Sequence, residues 1–96
     1  MTNHHSTIYR AMKKIIETIK CNREELISKY SKMKKEIEVL SEGIKQATKL
    51  KKYDVADKLW IKRSDLNTEA KDIHMAINDL TNALNHLGES TDIFWG

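Results

Sequence analysis

Proline is absent from the 96 residues of this chain, and glycine occurs three times, at Gly43, Gly88 and Gly96. Because β-sandwiches and barrels need many turns, and turns rely on glycine and proline, this composition excludes all-β architectures. Apolar residues never occur in runs of more than three, so the sequence predicts no membrane span and no signal-peptide core. The single cysteine, Cys21, rules out an internal disulfide. It is compatible with a reducing compartment, so we expect a cytoplasmic protein.

The apolar residues that are present follow a helical spacing. One stripe advances in alternating steps of four and three residues and consists of Leu26, Tyr30, Met33, Ile37, Leu40, Ile44 and Ala47. A second stripe alternates in the same way, with Arg63 as its one charged member, and consists of Ala56, Leu59, Arg63, Leu66, Ala70, Ile73, Ile77, Leu80, Leu84 and Leu87. This spacing is typical of helices that pack as coiled coils. The sequence therefore predicts an all-α fold with long helices over residues 23–50 and 54–87, paired as an antiparallel hairpin.

The connection between the two long helices is predicted at about residues 51–53. The spacing fails after Ala47, because the next position on the stripe would be Lys51, and Asp54 is placed to cap the second helix. With the chain folded there, residues whose numbers sum to about 104 face each other, as Tyr30 and Ile73 do. Large residues then oppose small ones in several layers, which suits interdigitated packing.

The segment around this turn resembles the UVR-type helical hairpin of nucleotide-excision-repair subunits. Where that motif has M, K, A, F, E, A, L and L, the segment has Ile44, Lys45, Ala47, Tyr53, Asp54, Ala56, Leu59 and Leu66. It departs from the motif at Trp60-Ile61, where the motif carries Arg-Asp. The resemblance covers about a quarter of the chain and implies a hairpin turn near Tyr53.

A shorter amphipathic helix is predicted over residues 6–20, with Ser6 or Thr7 as its cap and an apolar face made by Ile8, Met12, Ile15, Ile16 and Ile19. Asn22 and Glu25 have the spacing of a capping box, which favours a break before the first long helix. The short helix then either continues collinearly or folds back as a third helix. Gly88 is expected as a C-cap, and residues 1–5 and 89–96 as tails. The chain is read as a single domain, 1–96, that closes as a three-helix or an oligomeric bundle.

Charge is concentrated at the predicted turn, where residues 43–63 carry seven Lys/Arg against two Asp. A basic tip of this kind either is a solvated surface or meets an anion such as a nucleotide, a cyclic nucleotide or a nucleic acid. The candidate anion-binding residues are Lys49, Lys51, Lys52, Lys58 and Lys62, with Tyr53 or Trp60 stacking, and in a variant between subunits Tyr9, Arg10 and Lys13. The short, proline-free, Lys- and Ile-rich chain also resembles small phage accessory proteins, some of which sequester cyclic nucleotides.

Several apolar residues lie beside the stripes, where a two-helix hairpin cannot bury them all. Either the short helix covers them or a second chain does, and the candidate interface residues are Ile27, Val39 and Ile61. The end of the chain adds Ile93, Phe94 and Trp95, which either fold back as a plug or anchor into a neighbouring subunit or a protein partner. Arg63 lies in the seam between the helices, and Glu42 is its expected ion-pair partner.

Spacings that carry chemistry do not occur: there is no HExxH, no CxxC and no glycine-rich phosphate loop. We therefore expect no catalytic residues, no metal site, no cofactor and no enzymatic activity. The sequence favours a small helical interaction or adaptor protein that assembles with itself through its helix faces and carries an apolar C-terminal anchor. The alternative function is to bind or sequester an anionic ligand.

Overall fold

In the computed structural model, the chain forms two long helices, α1 (Asn3–Lys49) and α2 (Tyr53–Trp95). The backbone is described for residues 3–95 and the side chains for residues 7–88. The helices pack against each other as one antiparallel hairpin whose extents are 76 × 16 × 15 Å. The predicted all-α hairpin is confirmed. The radius of gyration of 21.3 Å far exceeds the roughly 12–13 Å of a compact domain of this length, so the molecule is a rod.

One apolar seam holds the two helices together. Its most buried part is formed by Met33, Ala70 and Ile73, and the half-buried residues packed around them are Leu26, Tyr30, Ile37, Leu66 and Ile77. These residues belong to the two stripes, and they meet in the register that the sequence predicts. Ala47 and Ala56 close the seam near the turn, where their small side chains let the helices come together.

The turn lies at residues 50–52, one residue before its predicted position, and it ends α1 with a Schellman motif. The Lys52 N–H donates to the carbonyl oxygen of Ala47 at 2.8 Å, and the Lys51 N–H donates to that of Thr48 at 3.0 Å. Lys51 itself adopts a left-handed conformation, with φ 57°. The carbonyl of Lys52 accepts the N–H of Ala56 at 3.0 Å, so Lys52 is the N-cap of α2. Asp54 therefore lies in the first turn instead of capping the helix as predicted.

The predicted break between a short first helix and the next one does not exist, since α1 runs unbroken from Asn3 to Lys49. The short helix is thus the collinear start of α1, and no third helix folds back within residues 3–95. The physical reason is that Met12, Ile16 and Ile19 continue the spacing of four and three, and Arg23 occupies the position before Leu26. Glu25 is approached by the Cys21 thiol at 4.0 Å instead of completing a capping box with Asn22.

The predicted end of α2 at Gly88 is also wrong, because the helix continues to Trp95. No glycine in the described backbone has a positive φ, so Gly88 does not adopt the left-handed conformation of a C-cap. Residues 3–5 and 89–95, predicted as tails, are helical as well. Met1, Thr2 and Gly96 lie outside the described residues.

The turn provides the first test of this structure, because Lys51 holds a conformation that suits glycine better. A non-glycine residue in this conformation destabilises the folded state by about 1–2 kcal/mol. Replacement by glycine removes this cost, but glycine also gives the unfolded chain more conformational freedom, which offsets part of the gain. We expect Lys51→Gly to raise the free energy of unfolding by about 0.5–1 kcal/mol, measured by urea denaturation at fixed protein concentration. Lys52→Gly removes the same charge and is the control. An equal effect of the two substitutions would contradict the assigned conformation of Lys51.

A second test concerns Gly88, which lies inside a helix where a Cβ atom would have no neighbour within 4 Å. Because glycine lowers helix stability relative to alanine, we expect Gly88→Ala to stabilise the protein by about 0.5–1 kcal/mol. Thermal unfolding followed by circular dichroism measures the change. A loss of stability would instead indicate the C-cap that the sequence predicts.

Candidate interaction surfaces

The hairpin has two long sides, one on each flank of the seam. We call the first the Lys29 face, because the Lys29 ammonium lies 3.9 Å from the Glu69 carboxylate there. In helices packed with this spacing, residues seven apart lie on the same side. The Lys29 face therefore contains every seventh residue, namely Ile8, Ile15, Asn22, Lys29, Glu36 and Gly43 on α1 and Val55, Lys62, Glu69, Ala76 and Ala83 on α2.

Two grooves support this assignment, since each is lined by residues of both helices on that side. One, of about 450 Å³, is lined by Glu36, Val39 and Lys62 together with the seam residues Leu40 and Leu66. The other, of about 480 Å³, is lined by Asn22, Glu25, Ala76 and Asp79 together with the seam residues Leu26 and Leu80. The Lys29 face thus has residues of both charges in its Lys29 and Glu36 layers, acidic and amide side chains at the second groove, and Ile8, Ile15 and Val55 toward its ends. Val39, 71 % exposed, projects beside the first groove.

The opposite side, which we call the Ser41 face, carries polar and aromatic side chains. Two seam arginines donate to hydroxyl groups there: Arg63 to the Ser41 Oγ at 3.2 Å, and Arg23 to the Thr81 Oγ1 at 2.7 Å. Between these two hydrogen bonds, the rings of Tyr30 and His74 lie 5.6 Å apart. A groove of about 290 Å³ runs beside them and is lined by Tyr30, Lys34, Asn67, Ala70, Lys71 and His74.

The expected ion pair between Arg63 and Glu42 is replaced by the hydrogen bond from Arg63 to Ser41. Glu42 accepts a hydrogen bond from the Gln46 side chain at 3.1 Å, on the exposed outer surface of α1. The reason is geometric: Ser41 lies next to the seam, whereas Glu42, one residue later, is rotated by about 100° toward solvent. Sequence reasoning also missed that Arg23 is a second seam arginine. Arg23 follows Ile19 by four residues and precedes Leu26 by three, so the alternating spacing predicts that it lies in the seam.

The ten candidate anion-binding residues fall into two separate groups. Tyr9, Arg10 and Lys13 lie near the open end of the hairpin, while the other seven lie at or near the turn. About 40 residues of α1 separate Tyr9 from Lys49, which corresponds to roughly 60 Å along the helix. The two groups therefore do not form one site within a single chain.

The group near the turn does not converge either. Lys58 and Lys62 are one helical turn apart and share a side of α2, whereas Trp60, between them, is rotated by about 200° from both. Trp60 is 54 % exposed and Tyr53 is 57 % exposed. They lie seven residues apart, on the Ser41 side of α2. Lys49, Lys51 and Lys52 are exposed at the end of the rod. The aromatic rings and the lysines thus face different directions.

The candidate interface residues are exposed, as the sequence suggests, but they occupy three sides of the molecule. Val39 lies beside the Lys29 face, Ile27 beside the Ser41 face, and Ile61 on the outer surface of α2. The side chains of Ile93, Phe94 and Trp95 lie outside the described residues. By the seven-residue repeat, Ile8, Ile15 and Val55 are exposed on the Lys29 face, with Val39 beside it, and Ile27, Tyr53 and Trp60 are exposed on the Ser41 face.

The described part of the chain contains no group of three or more His, Cys, Asp or Glu side chains placed to hold a metal ion. In the same residues, neither helix has a stretch that is long and apolar enough to cross a membrane. Cys21 is exposed and is not part of a disulfide.

Comparison with known proteins gives no relative: no family model, no curated protein and no solved structure matches this chain.

The arginine–hydroxyl hydrogen bonds offer a test with a matched control. Thr81 and Thr68 both donate to the carbonyl oxygen four residues earlier, at 2.8 and 3.2 Å. Thr81 also accepts from Arg23. Because hydrogen bonds to charged groups contribute about 1.5–3 kcal/mol and this one is partly exposed, we expect Thr81→Val to destabilise the protein by about 1 kcal/mol more than Thr68→Val. Urea denaturation of both variants measures the difference, and equal effects would show that the Arg23 hydrogen bond contributes nothing.

Proposed function

We propose that this protein is a non-enzymatic helical interaction protein that works as a homo-oligomer. The observation that carries the proposal is its exposed apolar surface. Eleven large hydrophobic residues among those described are 38–71 % exposed, whereas five hydrophobic residues are buried and none of the described side chains is fully buried. Exposed apolar residues in this number indicate an interaction surface on a soluble protein.

The surface area of the chain supports the same proposal. The hairpin exposes 7734 Å², whereas a compact monomer of 11.2 kDa exposes about 5,700 Å². The excess, about 2,000 Å² for each chain, is more than twice the roughly 800 Å² that each partner buries in a standard protein–protein interface. A second chain packed along the rod would therefore bring the exposed area per chain toward the value of a globular protein.

The distribution of charge favours a copy of this chain as the partner. Between Asn3 and Lys49, α1 contains eleven Lys/Arg and six Asp/Glu, so it carries a net charge of +5. Between Tyr53 and Trp95, α2 contains four Lys/Arg and eight Asp/Glu, so it carries −4. Each chain thus presents one positive and one negative helix, and α1 of one copy is attracted to α2 of another.

The alternative function, binding of an anion, has less support from the geometry. The lysines near the turn are exposed, Lys58 and Lys62 lie on the side of α2 away from Trp60, and the second candidate group lies at the other end of the rod. An anion would meet a set of separated surface charges, whose individual interactions are weak in water. Assembly, by contrast, uses apolar surface that is otherwise costly to expose.

Native mass spectrometry of the untagged protein, together with sedimentation equilibrium over a range of concentrations, tests the proposal. We expect a mass that is a multiple of 11.2 kDa at micromolar concentration, with no added ligand mass. A monomer at all concentrations would contradict the proposal. An oligomer or monomer that retains a nucleotide-sized mass would instead favour the anion-binding function.

A further inference from the structure

We propose that two copies of this chain pack side by side through their Lys29 faces, with both turns at the same end, to form a four-helix bundle. This inference rests on the proposed function and names the face and the orientation of the assembly. The Lys29 face is the side with the two larger grooves and with Ile8, Ile15 and Val55 exposed on it and Val39 beside it. It runs along a rod of 76 × 16 Å. The area of one side of this rod exceeds the roughly 800 Å² that each partner buries in a standard interface.

The orientation follows from symmetry. Two identical rods can face each other about a two-fold axis that is either parallel or perpendicular to their length. A parallel axis places α1 of one copy against α2 of the other, and every neighbouring pair of helices is then antiparallel. A perpendicular axis places α1 against α1 and α2 against α2. Because α1 carries +5 and α2 carries −4, only the parallel axis joins helices of opposite charge.

The charged layers of the Lys29 face agree with this orientation. Lys29 and Glu69 form one layer, 3.9 Å apart, and Glu36 and Lys62 line the same groove in the next layer. With the parallel axis, Lys29 meets the partner's Glu69 and Glu36 meets the partner's Lys62, and each contact occurs twice. A perpendicular axis centred between the two layers would also pair opposite charges, Lys29 with the partner's Glu36 and Glu69 with the partner's Lys62. Centred on the first layer, it would place Lys29 against the partner's Lys29 and Glu69 against the partner's Glu69. Like charges at such a position oppose association.

The apolar layers are complementary in size. The seven-residue repeat places Ile15 on α1 level with Ala83 on α2, and Gly43 level with Val55. With the parallel axis, Ile15 therefore packs over the partner's Ala83, and Val55 packs over the partner's Gly43. Ile15 and Val55 are 50 and 47 % exposed in the single chain. Ala83 and Gly43 are half-buried. The small side chain of Ala83 leaves room for the larger residue of the other copy, whereas Leu59 of the same chain already packs against Gly43.

Two charge-reversed variants test the face. An acidic variant carries Lys29→Glu and Lys62→Glu, and a basic variant carries Glu36→Lys and Glu69→Lys. Each reverses both cross-chain layers, so we expect each alone to dimerise at least about tenfold more weakly than the native chain. Mixed in equal amounts, they restore every cross-chain pair and are expected to form a heterodimer, which native mass spectrometry identifies by its mass.

The controls make the same charge changes away from the Lys29 face. Lys34→Glu with Lys71→Glu alters the Ser41 face, where both residues line the smaller groove. Glu24→Lys with Glu38→Lys alters the exposed surface of α1 on that side. We expect both control variants to dimerise as the native chain does. Circular dichroism checks that all four variants remain helical, as expected for substitutions of exposed charged residues, whose interactions contribute little to folding.

A distance measurement tests the orientation. In a Cys21→Ser background, Lys52→Cys places one spin label on the exposed turn of each copy. With both turns at one end, the labels are separated by about two helix diameters, roughly 20–30 Å. With the turns at opposite ends, the separation approaches the 76 Å length of the rod. Double electron–electron resonance distinguishes the two.

The outcomes separate the two proposals. A native chain that is monomeric at all concentrations would overturn the proposed function and this inference together. A native oligomer that the charge-reversed variants leave intact would overturn the Lys29 face and leave the proposed function standing. A heterodimer with widely separated labels would overturn the parallel arrangement, whereas a heterodimer with adjacent labels would support it.

Discussion

The structure depends on one seam of apolar residues spaced by alternating steps of four and three. Two helices can bury one such stripe each, and here the stripes extend over nearly the whole length of α1 and α2. Because the seam is only two helices thick, none of the described side chains is fully buried. The grooves and charged layers described above lie along the two sides that flank the seam.

A seam of Leu, Ile, Met and Ala does not by itself fix the register of the helices, since a slip of seven residues restores apolar contacts. The two seam arginines distinguish the native register. Arg63 reaches Ser41, and Arg23 reaches Thr81. A slip of seven residues in one direction places Arg23 opposite Gly88, and in the other direction opposite His74. Either slip loses at least one hydrogen bond of a partly buried guanidinium. Together with the Schellman turn, these bonds specify how the hairpin closes.

Much of this fold is predictable from the sequence because the periodicity is long and uninterrupted by proline. The two stripes, their antiparallel pairing and the turn near Tyr53 follow from it. Local signals were misleading where the periodicity continued through them: the capping spacing at Asn22 and the glycine at position 88 lie within unbroken helices. A helix with an intact apolar stripe gains more from packing than a local cap contributes. The site was less predictable, since Ser41 and Glu42 are adjacent in sequence and the predicted register brings both near Arg63. About 100° of helical rotation decides between them.

The self-complementarity of the Lys29 face has a simple origin. A two-fold axis parallel to the rod exchanges the positions of α1 and α2. Any residue pair that is matched across the seam within one chain, as Lys29 and Glu69 are, is therefore also matched between two copies. The charge pairing that stabilises the closed hairpin thus also makes the Lys29 face complementary to the Lys29 face of a second copy.

The proposed arrangement also brings the turn lysines of both copies to one end. Their repulsion opposes assembly, but it acts between solvated charges across a bundle about 20 Å wide. At physiological ionic strength, where the Debye length is about 8 Å, most of this repulsion is screened. The contacts along the rod lie closer together and are partly excluded from water, so they dominate the orientation of the pair.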